Sequence, residues 1–201
     1  MALRRTGLLG GSFDPVHLAH IALAETARTT LDLDEVQLIP AADPWQRGPL
    51  AASAAHRLAM LHIAVTGRAH IHVNPLEIQR GGPTYTIDTL RELPASADYF
   101  WILGADQLEN FCSWQHWQEI ISLVTLAVAQ RPGARLTPAQ PLIEHLKKLD
   151  RQLIELPFEP TEISATLVRQ RLARGQSTNG LLDAAVAQYI KQNGLYQAPV
   201  A

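Results

Sequence analysis

The chain has 201 residues, 17 basic against 19 acidic side chains, 47% hydrophobic residues and a single cysteine. That length builds a buried core, the 18% charged content is too low for a disordered chain, and a net charge of −2 excludes a protein that coats nucleic acid by bulk electrostatics. Cys112 alone excludes an intramolecular disulfide framework and a multi-cysteine zinc module, and fits a reducing compartment.

The first apolar run, residues 6–10, closes on a glycine pair and predicts a buried strand. It follows Arg4 and Arg5 but stops too soon to be the core of a signal peptide. Asp14-Pro15 then offers an N-cap with Pro at the first helical position, and apolar Ile21, Leu23, Ala24 and Ala27 continue a helix to about Thr30. Val36-Gln37-Leu38-Ile39 predicts a second strand, residues 41–49 a loop, and Ser53 the cap of a helix that stops at Gly67. Ile71-His72-Val73 predicts a third strand. Gly81-Gly82-Pro83 is a turn, and Thr84 or Thr86 opens a short helix ending before Pro94.

Residues 99–103 and 125–129 predict two more strands on either side of a tryptophan-rich helical region. The longest apolar stretch, residues 120–129, is about half of a bilayer span, so no membrane partner is expected. Residues 141–150 predict a helix, 152–156 a last strand, and 164–174 and 182–193 two closing helices. Strands alternating with helices predict a doubly wound α/β fold, a parallel sheet covered on both faces. One domain over residues 1–201 is expected, with a small C-terminal helical part at about 160–197.

Such sheets bind ligands beyond the carboxyl ends of their strands. The first junction reads Gly10-Gly11-Ser12-Phe13-Asp14-Pro15-Val16-His17-Leu18-Ala19-His20. Paired glycines let backbone approach a bulky anion, a helix start points amides at it, and His17 and His20 share a helix face three residues apart. A plain Gly-Gly turn with two incidental histidines is the alternative. No Walker-type loop and no dinucleotide glycine fingerprint occurs, and Asp14 stands where a hydrolase elbow needs its last glycine. The last junction, Ile163-Ser164-Ala165-Thr166-Leu167-Val168-Arg169, combines an N-cap, two hydroxyls and an arginine into a second anion site; a capped amphipathic helix is the alternative. His70 and His72 lack a third ligand at useful spacing, so no metal site is expected.

These two junctions resemble the signature motifs of the nucleotidyltransferases that share a Rossmann-like fold with class I aminoacyl-tRNA synthetases. Pro83-Thr84-Tyr85-Thr86-Ile87-Asp88-Thr89-Leu90, Leu103-Gly104-Ala105-Asp106-Gln107-Leu108, residues 111–114 and Arg131-Pro132-Gly133 resemble one branch, the bacterial nicotinate-nucleotide adenylyltransferases, over residues 6–196. The resemblance implies transfer of AMP from ATP to nicotinate mononucleotide by in-line attack, with pyrophosphate leaving, in NAD biosynthesis in the cytoplasm. Mg²⁺ enters with ATP, held by phosphate oxygens. It implies that Gly10, Gly11, Ser12, Phe13, His17, His20, Gly104, Asp106, Ile163, Ser164, Thr166 and Arg169 bind ATP, and that Tyr85, Thr86, Trp114 and Arg131 surround the mononucleotide. Catalytic roles fall on His17, His20, Arg47 and Arg169.

Two positions depart from the pattern. Ala19 stands where the family has Gly, and Gln46-Arg47 where many relatives carry His followed by a cation, which leaves Arg47 as the charge of that loop. The alternatives are a sister enzyme acting on phosphopantetheine, a cytidylyltransferase, or a nucleotide-binding regulator that has lost catalysis.

Overall fold

The computed structural model describes residues 3–44, 48–130, 135–159 and 161–197. Eight strands and nine helices are found among them. In chain order these are β1 (Arg4–Gly11), α1 (Leu18–Thr30), β2 (Glu35–Pro40), β3 (Asp43–Pro44), α2 (Ala54–Ala64), β4 (Ile71–Val73), α3 (Leu76–Arg80), β5 (Pro83–Thr84) and α4 (Thr86–Glu92). The second half runs β6 (Ala97–Gly104), α5 (Ala105–Glu109), α6 (Trp117–Leu123), β7 (Thr125–Gln130), α7 (Gln140–Lys148), β8 (Ile154–Pro157), α8 (Ala165–Ala173) and α9 (Ala184–Gln192).

Six strands form one parallel sheet in the order β4-β2-β1-β6-β7-β8. Side chains alternate across a strand, and here both faces are apolar. Leu9, Leu38, Phe100 and Ile102 face one layer, where α1, α2, α8 and α9 supply Ile21, Ala24, Met60, Val168, Val186 and Ile190. Leu8, Ile39, Trp101 and Leu103 face the other, with Ile87, Leu108, Ile120 and Leu142 from α4 to α7. The C-terminal helices therefore share the core of the first strands. This is the Rossmann-like, doubly wound sheet expected from the alternation of elements.

Three local features differ from expectation. Helix α1 begins at Leu18 with His17 as its N-cap, not at Asp14, because the Asp14 carboxylate is spent on the amides of Ala51 and Ala52. Strands β3 and β5 pair as a separate ribbon, fixed where the Thr84 hydroxyl accepts the amides of Ala42 and Asp43 at 3.1 and 3.2 Å. Thr84 thus serves the ribbon, and Tyr85 is the N-cap of α4. The tryptophan-rich region is not one continuous helix: Trp114 is extended before α6, and Trp117 is the first residue of α6. No described helix is long and apolar enough to cross a membrane.

Candidate active site

The strand order reverses at β1 and β6, so the crevice lies beyond Gly11 and Gly104. The glycine pair has a packing cause. A Cβ on Gly10 would sit 2.9 Å from the Trp101 ring, and one on Gly11 would meet the Phe13 ring at 3.2 Å. Neither glycine has a positive φ. The left-handed turn falls instead on Phe13, at φ 47°, whose ring is buried. Phe13 therefore underlies the loop, and its ring meets His20 edge-on at 4.8 Å.

The two histidines meet as the spacing predicts, with their rings stacked at 3.6 Å. The His17 amide donates to His20 Nδ1 at 3.2 Å, so a neutral His20 carries its proton on Nε2. Burial lowers the His17 pKa to about 4, so His17 is neutral at pH 7. Its Nδ1 is buried without a hydrogen-bond partner among the described residues. Two stacked imidazolium rings would repel, and the burial of His17 removes that conflict.

The second phosphate motif stands at the start of α8. The Ser164 hydroxyl accepts the Leu167 amide at 3.2 Å, which takes one of the amides expected to be free for an anion. Arg169 reaches back across 155 positions of sequence and donates to the Asp14 carbonyl at 2.7 Å, with Thr166 Oγ1 at 3.4 Å. That bond joins the two ends of the chain at one place.

Three depressions open around this junction. The largest, about 630 Å³, is lined by His17, His20, Gly104, Asp106 and Ile163, all expected ATP residues, together with Ala19 and Arg135. Its size suits a nucleotide. A Cβ on Gly104 would lie 2.6 Å from Asp106 Oδ1, so the carboxylate folds back over the strand end. A second cleft of about 120 Å³ holds Gly10, Gly11, Ser12, Thr86 and Trp114. Tyr85 does not line it and packs against the core on that side of the sheet. The third, about 190 Å³, lies between Ser12 and Arg169. Ser164 and Thr166, exposed at the start of α8, line none of the three. Arg47, Gln46 and Arg131 lie outside the described residues.

Sequence reasoning missed three parts of this site. Arg135 entered no motif. Glu77 is buried at the rim of the small cleft, where burial raises its pKa while Thr89 Oγ1 donates to it at 2.6 Å. Arg57, 1% exposed, donates to the Ser12 carbonyl at 2.8 Å and lies 3.4 Å from that of Ala42. Burial lowers its pKa, and Asp14 opposes the shift. On the sequence Arg57 is one more helical arginine; only the tertiary fold turns it inward.

The Cytidylyltransferase-like family model matches residues 8–171. Two curated relatives carry the name "Probable nicotinate-nucleotide adenylyltransferase". The one from Bordetella petrii is 60% identical over 97% of this chain and 100% of its own length. The one from Bordetella pertussis is 58% identical over 98% and 100%. Among solved structures, Plasmodium falciparum nicotinic acid mononucleotide adenylyltransferase complexed with NaAD aligns with a TM-score of 0.75 at 20% identity, over 96% of this chain and 97% of that one. The same enzyme complexed with APC aligns with a TM-score of 0.72 at 21% identity, over the same shares of the two chains. At that identity the match speaks for the fold.

Proposed function

The chain belongs to the nicotinate-nucleotide adenylyltransferases of the cytidylyltransferase-like family, and from that premise we propose how its residues carry the reaction. The enzyme transfers AMP from ATP to nicotinate mononucleotide, giving nicotinate adenine dinucleotide and pyrophosphate. In our reading the adenosine occupies the large cleft, where Asp106 accepts ribose hydroxyls beside Gly104 and Ile163 flanks the far wall. The flat face of Trp114 and the start of α4 at Thr86 receive the nicotinate ring in the small cleft. Tyr85 supports that wall from behind. The observation that supports this reading is the bond from Arg169 to the Asp14 carbonyl, which ties α8 to the β1–α1 segment that lines all three depressions.

The substrate phosphate attacks the α-phosphorus in line, and no protein nucleophile is needed. The protein supplies position and charge stabilisation. His17 and His20 offer hydrogen bonds to the triphosphate; His17, being neutral, adds no charge. Positive charge comes from Arg169 at the departing pyrophosphate, with Ser164 and Thr166 at the α8 terminus, and from Arg47. Arg131 is assigned to the mononucleotide phosphate. Gly10, Gly11, Ser12 and Phe13 shape the loop between the two substrates.

Members of this superfamily use a divalent cation with ATP. Among the described residues no group of three or more His, Cys, Asp or Glu could hold a metal ion. We assign Mg²⁺ to the substrate, as MgATP, held mainly by phosphate oxygens. The partners are ATP and nicotinate mononucleotide, and the lone, half-buried Cys112 suits a cytoplasmic setting.

Pyrophosphate release with ATP tests the reading, using nicotinate mononucleotide, nicotinamide mononucleotide and phosphopantetheine in parallel. Turnover highest with the nicotinate substrate is expected. Preference for phosphopantetheine would replace it with the sister activity, and ATP binding without release would favour a regulator.

A further inference from the structure

The loop after β1 is held from behind by four separate segments, and one of them is the end of the chain. The Asp14 carboxylate, 2% exposed, accepts the amides of Ala51 and Ala52 at 2.7 and 3.0 Å. Its Oδ1 also accepts the Tyr196 hydroxyl at 2.7 Å, across 182 positions of sequence. Arg57 of α2 fixes the neighbouring Ser12 carbonyl, and Arg169 fixes the Asp14 carbonyl. Burial, then the hydrogen bond to Asp14, hold the Tyr196 phenol well above its usual pKa, so the hydroxyl remains a donor throughout the working pH range. Tyr196 itself has a positive φ of 59°, a backbone state that a non-glycine residue adopts at a cost. Packing of Leu195 and Tyr196 against the α9 side of the core accompanies this.

A tail that only needed to cover apolar surface would not need a phenol placed on a buried carboxylate. We propose that Tyr196 is a positioning residue for the triphosphate, acting through Asp14 on the loop of residues 12–15 and on Arg169. This rests on the reading of Ser12 and Arg169 as the walls of the pyrophosphate end. Asp14 has its acceptor sites shared among two amides and a phenol. Losing the phenol frees the carboxylate to shift, and with it the carbonyl that anchors Arg169. The nicotinate side, built from α4 and Trp114, meets this network at Ser12 and through Arg57, 3.4 Å from the Ala42 carbonyl, and among the described residues neither contact involves Tyr196 or the Asp14 carboxylate.

Two variants separate hydroxyl from bulk. Tyr196→Phe keeps the ring and loses only the donor, whereas Tyr196→Leu loses the ring as well. ATP binding is read calorimetrically without the second substrate, and the KM for each substrate is read in the full reaction. Both variants are expected to weaken ATP binding and raise the KM for ATP by about five- to tenfold, with the KM for nicotinate mononucleotide unchanged. Only Tyr196→Leu should lower Tm substantially. Wild-type ATP binding in Tyr196→Phe would overturn the inference, as would equal losses for both substrates. Failure of the wild-type protein to bind ATP at all would instead overturn the assignment of the site.

Discussion

The two walls of the crevice are built by opposite means. On the side proposed for ATP, the loop after β1 is fixed by hydrogen bonds to buried groups: Arg57 to Ser12, Ala51 and Ala52 to Asp14, Tyr196 to Asp14, and Arg169 to Asp14. On the side proposed for the nicotinate ring, Trp114 is held by rings, tilted against Phe111 at 5.1 Å and edge-on to Trp101 at 6.5 Å. Its Nε1 is buried with no hydrogen-bond partner among the described residues. Directional polar bonds suit a wall that must place phosphate-binding groups within tenths of an ångström, while a flat ring tolerates looser support. Arg91 and Glu119 tie α4 to α6 over the second wall, but on an exposed surface where water screens the pair.

That contrast makes graded expectations. His20→Ala should cost most, lowering kcat/KM by about a hundred- to a thousandfold while circular dichroism remains native, because a preorganised donor to the phosphates is lost. Retention of more than a tenth of the activity would remove His20 from the chemistry.

His17 comes next, and its signature is stability against pH. The folded pKa of about 4 lies below the unfolded value of 6.5, so the unfolded chain takes up a proton first as pH falls. The contribution is intact above pH 6.5, lost progressively down to pH 4 and gone below it, at most about 3 kcal/mol. Urea titrations of wild type and His17→Gln should therefore converge or cross over that window. Parallel curves would show that His17 is not buried in its neutral form.

Trp114→Leu should raise the KM for nicotinate mononucleotide by about tenfold and leave the KM for ATP nearly alone, since a flat ring loses its partner face. A matching rise for ATP would mean that the walls are not independent. The smallest effect belongs to Arg91→Gln, for which thermal melts and both KM values should match wild type within error.

The same contrast explains what was legible in the sequence. Local rules found the six core strands, because apolar runs ended by glycine or proline need no tertiary information. They also put His17 beside His20 and made Ser164 the cap of α8, because each of these depends on one helix start alone. They misplaced the start of α1, since Asp14-Pro15 reads as a cap until the carboxylate is seen to bond Ala51, Ala52 and Tyr196. The β3–β5 ribbon escaped because two-residue strands carry no periodicity. Arg57, Asp14 and Tyr196 escaped for a common reason: each acts across a long stretch of chain, and a lone buried polar residue has no pattern. Arg151, in no motif, likewise donates to the carbonyls of Val124 and Ser122 at the end of α6.

The division of the crevice into an ATP wall and a nicotinate wall is tested most directly by calorimetric titration of ATP, with no second substrate, into His20→Ala and Trp114→Leu side by side. The expected result is affinity weakened at least tenfold in His20→Ala and unchanged in Trp114→Leu. Equal weakening in both variants, or loss confined to Trp114→Leu, would contradict it.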